Sequence, residues 1–541
     1  MSARRRLGGW GFEGESFQPS EQLLRWLEER LGPALFPVPA EAAAPPDLKA
    51  VELGDLGADL SLDPIDRLAH ARGQGLVDVL RIRGGRVPAL PDGVCRPSDS
   101  KQVAAVLGSC SARGIRVIPW GGGTSVTGGV NVLAGNGPVV TIALDRMAGL
   151  HDLDRRSGLA AFGPGTPGPQ VEAALAEHGM TLGHFPQSWE LATVGGWVAT
   201  RSSGQESLGY GRIEDMVAGL ELVSPDGQLS LPPRPASAAG PDLGRLIMGS
   251  EGRLGVITMA TLRVRPRPEM TVVVGALFPD LGRALEAIHE MVGDSVPLTL
   301  IRLSDAPETQ VAMRIGLASS RWASAVNRYL KLRGIADGAC LLLTGAAGSR
   351  DRINNSLRRA RLIAGAHRGV SLGRHPGRHW LRDRFRHPYL REALLDLGFA
   401  TDTLETAAPW SRVVEIRAKI RSAICGALSE EEEPITVLCH VSHPYRDGAS
   451  LYFTFFFRCA PTPEETIARW ARIKRAANDA LVAAGATLSH HHGIGQWHAP
   501  WLAAEIGDVG VEVIAATASR LDPRGIMNPH VLLEPEDWLE A

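Results

Sequence analysis

Apolar residues recur at helical spacing in some stretches of the chain and crowd into short β-rich runs in others, with glycine-rich segments between them. Leu23, Leu24, Leu27 and Leu31 share one stripe between a start signal, Pro19-Ser20, and a stop at Gly32. That spacing predicts a helix docked on the body, with a membrane-surface helix as the alternative. An Ala/Pro-rich linker is expected at 37–48, and residues 1–60 read as an N-terminal helical appendage. From Arg96 the texture changes: RPSDSKQVAAVLGSCSARG offers Ser98 or Asp99 as N-cap and continues as a helix with Val103, Val106 and Leu107 inward. Strands are predicted at 115–119, 139–144 and 159–162, then a helix at 170–178. Between 270 and 460, strand-like runs (271–278, 296–302, 341–344, 449–457) alternate with Arg/Ala/Leu-rich helices. That is the pattern of an antiparallel sheet covered by helices, hence of a second domain. Thr462, Pro463 and Glu465 then supply an N-cap, a first-turn proline and a capping box for a helix to 484, and a turn closes the chain at 521–529.

The glycine-rich segments carry the first hint of chemistry. RVIPWGGGTSVTGG, residues 116–129, is a short strand ending in Pro119-Trp120, then Gly121-Gly122-Gly123, Thr124-Ser125 and Gly128-Gly129. Without Cβ atoms such a loop can turn tightly and aim several backbone N–H groups at one polyanion; the bland alternative is a plain turn. Three further glycine- and hydroxyl-rich stretches follow at 184–204, 209–214 and 247–258, and their accumulation favours a large phosphate-bearing ligand. Two GxGxxG matches fail on context. Gly9-x-Gly11-x-x-Gly14 has no strand before it, and in Gly163 to Gly168 the prolines Pro164 and Pro167 remove two donors that a Rossmann turn needs.

Composition narrows the class. With 541 residues the chain can hold two or three domains, and 57 basic against 59 acidic residues give no electrostatic case for nucleic acid. Six cysteines without a CxxC read as reduced and buried, and metal-ligand spacing is absent, so no metal is expected. No apolar run is long enough to span a bilayer, and Arg4-Arg5-Arg6 is followed by no apolar signal region. A cytoplasmic protein, possible peripheral membrane contact aside, is the expectation.

Taken in order, RPSDSKQV, PWGGGTSVTGG, ATVGGWVATRSSG, YGRIEDMV and MGSEGRLGVIT resemble flavoproteins of the vanillyl-alcohol oxidase type, with an FAD-binding domain of the p-cresol methylhydroxylase kind. Within that superfamily the chain is most similar to the alkyldihydroxyacetone-phosphate synthases, through GGWGFEG, TVGGWVATRSSGQESLGYGRIEDMV, APWSRVVE, DGASLYFTFFF and SHHHGIG. The resemblance implies an α+β fold: a two-subdomain FAD-binding domain at 90–270, an antiparallel-sheet cap or substrate domain at 271–470, and a C-terminal segment, 471–541, returning to the flavin. It implies non-covalent FAD held by Pro119, Gly121, Gly122, Gly123, Thr124 and Ser125, then Gln187, Ser188, Thr193, Gly196, Ser202 and Ser203, then Glu251, Gly255, Val256 and Ile257. It implies exchange of the acyl chain of acyl-dihydroxyacetone phosphate for a fatty alcohol, with flavin N5 holding the dihydroxyacetone-phosphate carbon. Tyr452 and His490-His491-His492 match the acid/base residues, and Arg302 and Arg412 the substrate-side arginines. A lipid-like or phosphorylated substrate and a possible homodimer are the implied partners.

Imidazole titrates near neutrality and suits proton transfer at carbon, while arginine's fork suits a phosphate monoester. Three adjacent histidines on a strand cannot all face one site, so His491 is expected to point away. Tyr452, among Phe453, Phe455, Phe456 and Phe457, has a core tyrosine as its alternative, and both arginines have ion-paired scaffold roles as theirs. At His184 to Ser188 the family's acidic residues are missing, and the ending Asp522 to Asn528 is more similar to flavin-dependent D-2-hydroxyacid dehydrogenases. Hydroxyacid oxidation is therefore the second reading, and a non-catalytic flavin- or lipid-binding protein the third.

Overall fold

The computed structural model describes residues 4–15, 17–38, 52–135, 137–317, 328, 330–335 and 337–535. Most of the expected linker at 37–48 lies outside them. Three main sheets organise the chain. The first places Asp59–Ser61, Gly93–Arg96, Val139–Ala143 and Arg116–Trp120 side by side, the last three parallel. The crossover helix Ser100–Arg113 starts at Asp99, whose carboxylate accepts from the amides of Lys101 and Gln102, and ends at Gly114 in the left-handed region. Val103, Val106 and Leu107 on its inner face are fully buried, as their spacing predicts. The strand Arg116–Trp120 then delivers the glycine loop to the carboxyl edge of this parallel sheet, the usual place for a ligand in such an arrangement.

The second sheet is antiparallel, in the order Leu150–Asp154, Leu159–Phe162, Val256–Arg263, Val217–Ser224, Gly227–Leu231. The third has seven antiparallel strands: Val370–Gly373, Met270–Phe278, Cys340–Gly348, Leu300–Ser304, Thr436–Pro444, Gly448–Arg458 and Phe399–Pro409. The class is α+β, with two sheet-bearing halves carrying the glycine loops and an antiparallel cap sheet beside them. In the cap, Tyr452 lies directly between Glu405 on one neighbouring strand and His440 on the other, so the three side chains share one face.

The N-terminal helix, Glu21–Leu31, is capped by Ser20. It buries Leu23, Trp26, Leu27 and Leu31 against Val311, Leu394, Phe399, Leu438 and Phe456 of the cap. Full burial of one such side chain stabilises by about 1.5–3 kcal/mol. The stripe is spent on the body, so the membrane-surface alternative for this helix fails. Among the described residues no helix is long and apolar enough to cross a membrane.

Some elements depart from expectation. The strand expected at 296–302 begins only at Leu300. Phe399–Pro409, with buried Asp402 and Glu405, did not announce itself by apolar alternation. Leu502–Leu521 is a helix kinked at Gly507, a residue poor in helix propensity that hid it. After it the chain returns to the first sheet: Met527 bridges Val117, and the Asn528 amide donates to Val117.

Candidate active site

The glycine loop packs directly on the second glycine-rich stretch. A Cβ at Gly121 would stand 2.4 Å from Thr193 Oγ1, and one at Gly122 would stand 2.0 Å from the Leu191 carbonyl oxygen. Neither position can carry a side chain without moving backbone or Thr193. The Ser125 hydroxyl closes the loop by accepting from the Gly129 amide (2.9 Å). The backbone amides of residues 122–126 donate to no protein acceptor among the described residues, and Thr193 Oγ1 is buried without a partner. Unpaired donors lining a glycine-built concavity call for an anion. They fit the diphosphate and ribityl groups of FAD.

The remaining residues expected around the cofactor are spread over the same region, with several side chains turned elsewhere. Pro119 ends the strand beneath the loop and meets Gly252. Gln187 and Ser188 are half-buried in the turn leading to Thr193, and Gly196 lies beside Gly121. Ser202 Oγ contacts His184 Nε2 (3.2 Å). His184 itself is buried against Trp197, and burial pushes its imidazole down to about 3. Ser203 Oγ faces His443 Nδ1 at 3.5 Å. Gly255 is required by the Val223 carbonyl, 2.6 Å from where its Cβ would be, while Val256 and Ile257 are core residues opening a strand. Glu251 turns its carboxylate toward the end of the histidine cluster, accepting from Ile494 (2.7 Å) and Gly495 (3.0 Å). Burial raises that carboxyl to about 7 against the pull of the two amides.

That histidine segment is a tight turn and not a strand. Its centre is Glu405. One carboxylate oxygen accepts from the amides of His490 (2.9 Å), His491 (2.7 Å) and His492 (2.8 Å) and from Ser489 Oγ (3.0 Å). The Nδ1 atoms of the three rings stand 3.6, 3.0 and 3.8 Å from the carboxylate. The expectation that His491 points away is therefore wrong: a turn wrapped round one anion removes the alternation that argument assumed. Burial alone would push the Glu405 carboxyl up, but His491, His492 and its hydrogen bonds hold it well below the usual range. Burial lowers His490 well below its ordinary value and His492 to about 3. The turn is tied to the glycine loop, since Thr127 Oγ1 donates to the His492 carbonyl and the Thr127 carbonyl accepts from Gln496 and Trp497.

Tyr452 faces this turn, its ring 6.1 Å from that of His491 and 5.5 Å from that of His492. On its other side it stacks on His440 at 4.9 Å. Burial raises the phenol, so it keeps its proton at neutral pH. His440 Nδ1 meets Glu308 (3.1 Å) and Arg302 (3.1 Å), and Arg302 is ion-paired to Glu308 at 2.6 Å. Arg302 thus joins the cluster through His440. The structure does not gather Arg412 with them; its guanidinium pairs with Glu415 on the same half-exposed helix start (3.6 Å).

Five participants were not singled out from sequence as site residues: His440, Glu308, Glu405, Tyr445 and His443. Glu405 gave no spacing signal, because its role exists only once strand and turn meet. Tyr445 reaches His490 Nε2 (2.5 Å), and His443 reaches Ser207 Oγ (2.9 Å). His443, His490 and His491 place ring nitrogens within 4.8 Å of one another, a set that could accept a metal ion. Sequence spacing showed no metal-ligand pattern, because His443 joins His490 and His491 only on folding. These nitrogens already bond one another, Tyr445 and Ser207, which suits a proton-relaying network equally well.

Comparison with known proteins gives the family. Residues 91–230 match the FAD binding domain family, and residues 267–532 match the C-terminal domain of FAD linked oxidases. The alkyldihydroxyacetonephosphate synthase of Dictyostelium discoideum is 31% identical over 493 residues, covering 90% of this chain and 80% of that protein. A solved alkyldihydroxyacetonephosphate synthase superposes with a TM-score of 0.80 at 27% identity, covering 97% of this chain and 98% of the other. Substrate-bound p-cresol methylhydroxylase, with a TM-score of 0.65 at 14% identity over 88% of this chain and 94% of its own, shares the fold. The chain belongs to the alkyldihydroxyacetonephosphate synthase family, with an FAD-binding domain joined to the C-terminal domain of the FAD-linked oxidases.

Proposed function

We propose that the protein exchanges the acyl chain of an acyl-dihydroxyacetone phosphate for a fatty alcohol, forming an ether lipid precursor with no net redox change. The observation that carries this reading is the buried group of a protonated phenol, Tyr452, and three histidines, His490 and His492 held neutral by burial, wrapped round the Glu405 anion and bonded to the glycine loop through Thr127. Bound FAD, held by the glycine loop and the stretch around Thr193, would supply an electron-accepting ring system. Neutral His490, bonded to His491 and to Tyr445, offers a hydrogen-bonded path along which a proton released at the substrate carbon would be passed on. The Tyr452 hydroxyl can donate a hydrogen bond to the departing carboxylate. Arg302, on the same face and paired to Glu308, is the substrate-side arginine whose remaining guanidinium donors would meet the phosphate. Glu405 acts through the histidines: one of its oxygens is taken by their amides, and the other faces the Nδ1 atoms of His490 and His491. A substrate of this class partitions into membranes, so the reading includes peripheral contact with a lipid surface.

Labelled hexadecanol and palmitoyl-dihydroxyacetone phosphate should give labelled ether product without an added electron acceptor. Reduction of a dye by a 2-hydroxy acid, with no ether formed, would replace this reading with hydroxyacid oxidation.

A further inference from the structure

The N-terminal residues 4–15 form a hairpin that reaches the glycine loop. Arg5 bridges Phe12, the Arg6 amide donates to Gly11, and the Glu13 amide donates to Arg4. The hairpin is fixed at several points. The Gly8 carbonyl accepts from Arg83 Nε (2.9 Å), Trp10 is buried, and Tyr389 donates to Glu15 (2.9 Å) and Glu190 (3.0 Å). Gly11, at φ +86, leaves room for the Tyr389 ring, which a Cβ there would meet at 2.4 Å. Gly11, the middle glycine of the rejected dinucleotide match, therefore helps to seat this hairpin. Its outcome is that Arg5 Nη1 donates to the Gly122 carbonyl at 2.7 Å.

The charge of Arg5 is unbalanced. Arg4 pairs with Glu13 at 3.7 Å, and Arg6 donates to the Glu15 carbonyl. Arg72, two residues before the Gln74 amide that donates to Ser125, is matched by Asp78 at 3.4 Å. Arg5 has no carboxylate partner among the described residues, and burial depresses its guanidinium to about 10 with no acid to offset the cost. The loop, residues 121–129, contains no Lys or Arg, and the amides of 122–126 await an acceptor. A dianion seated there would meet backbone dipoles and this one uncompensated cation. We propose that Arg5 is a cofactor-binding residue, its guanidinium supplying positive charge to the diphosphate of FAD from a segment well over a hundred residues upstream of the loop. This rests on the glycine loop being the FAD site.

The test is the FAD dissociation constant of the full-length holoprotein, read by flavin fluorescence on dilution, for the parent, Arg5→Met, Arg5→Lys and Arg4→Met. Arg5→Met should raise Kd about tenfold or more, the scale of one charge-assisted hydrogen bond. Arg5→Lys should recover most of the loss, and Arg4→Met should match the parent. A smaller change in Arg5→Met overturns the proposal. So does an equal loss in Arg5→Lys, which would mean that Arg5 only anchors the Gly122 carbonyl. A parent that binds no FAD would instead sink the cofactor reading itself.

Discussion

Replacing Glu405 probes the centre of the site without touching a group proposed to meet substrate. In Glu405→Ala the amides of His490, His491 and His492 and the Ser489 hydroxyl lose one shared acceptor. An unsatisfied buried donor costs about 1–3 kcal/mol, so three amides amount to about 3 kcal/mol even at the low end. That is a large part of the 5–15 kcal/mol that holds a typical domain together. The turn should therefore open locally, since refolding it round water is cheaper than keeping it closed. Glu405→Gln keeps an oxygen for the amides and loses only charge assistance, about 1–2 kcal/mol. Urea unfolding of the holoprotein, followed by tryptophan fluorescence, should rank parent above Gln above Ala. Turnover should fall at least about a hundredfold in Ala, because a displacement of 1 Å at reacting groups costs about that much. An Ala variant within about 1 kcal/mol of the parent and fully active would refute the reasoning.

Other consequences follow from single contacts. Gly122→Ala places a methyl 2.0 Å from the Leu191 carbonyl, so it should weaken FAD retention measured by absorbance after gel filtration; full retention would contradict the cradle. Glu251, raised from 4.5 to about 7, binds a proton more tightly folded than unfolded. It therefore contributes stability that is fully present below pH 4.5 and lost as pH rises to 7, about 3 kcal/mol in all. The unfolding free energy of the parent minus that of Glu251→Gln should fall by that order across this window, and a flat difference would exclude the shift. Tyr452→Phe should abolish exchange while FAD stays bound, measured as turnover against flavin absorbance; an unchanged rate would dismiss the phenol.

Much of the fold was legible because it rests on local signals. Asp99 and Thr462 as caps, and the inward spacing of Val103, Val106 and Leu107, act within one helix turn and survive folding unchanged. The glycine loops were legible as places where backbone must come close, because a Cβ at Gly121 or Gly122 would meet a neighbour. What stayed hidden is non-local. Glu405 and Tyr452 lie 47 positions apart in sequence and acquire meaning only as cross-strand neighbours. Arg5 and Gly122 are separated by 117 positions. The mistaken orientation of His491 came from assuming strand alternation where a buried anion had organised a turn. Arg412 carried a familiar motif, yet its nearest anion is Glu415 on its own helix.

The central claim is exchange without net electron transfer, and its most direct measurement is stoichiometry under anaerobic conditions. Palmitoyl-dihydroxyacetone phosphate and labelled hexadecanol should yield one palmitate released for each ether formed, over many turnovers, with the flavin oxidised at the end as at the start. Flavin reduction that halts after one equivalent, or palmitate released with no ether, would contradict it.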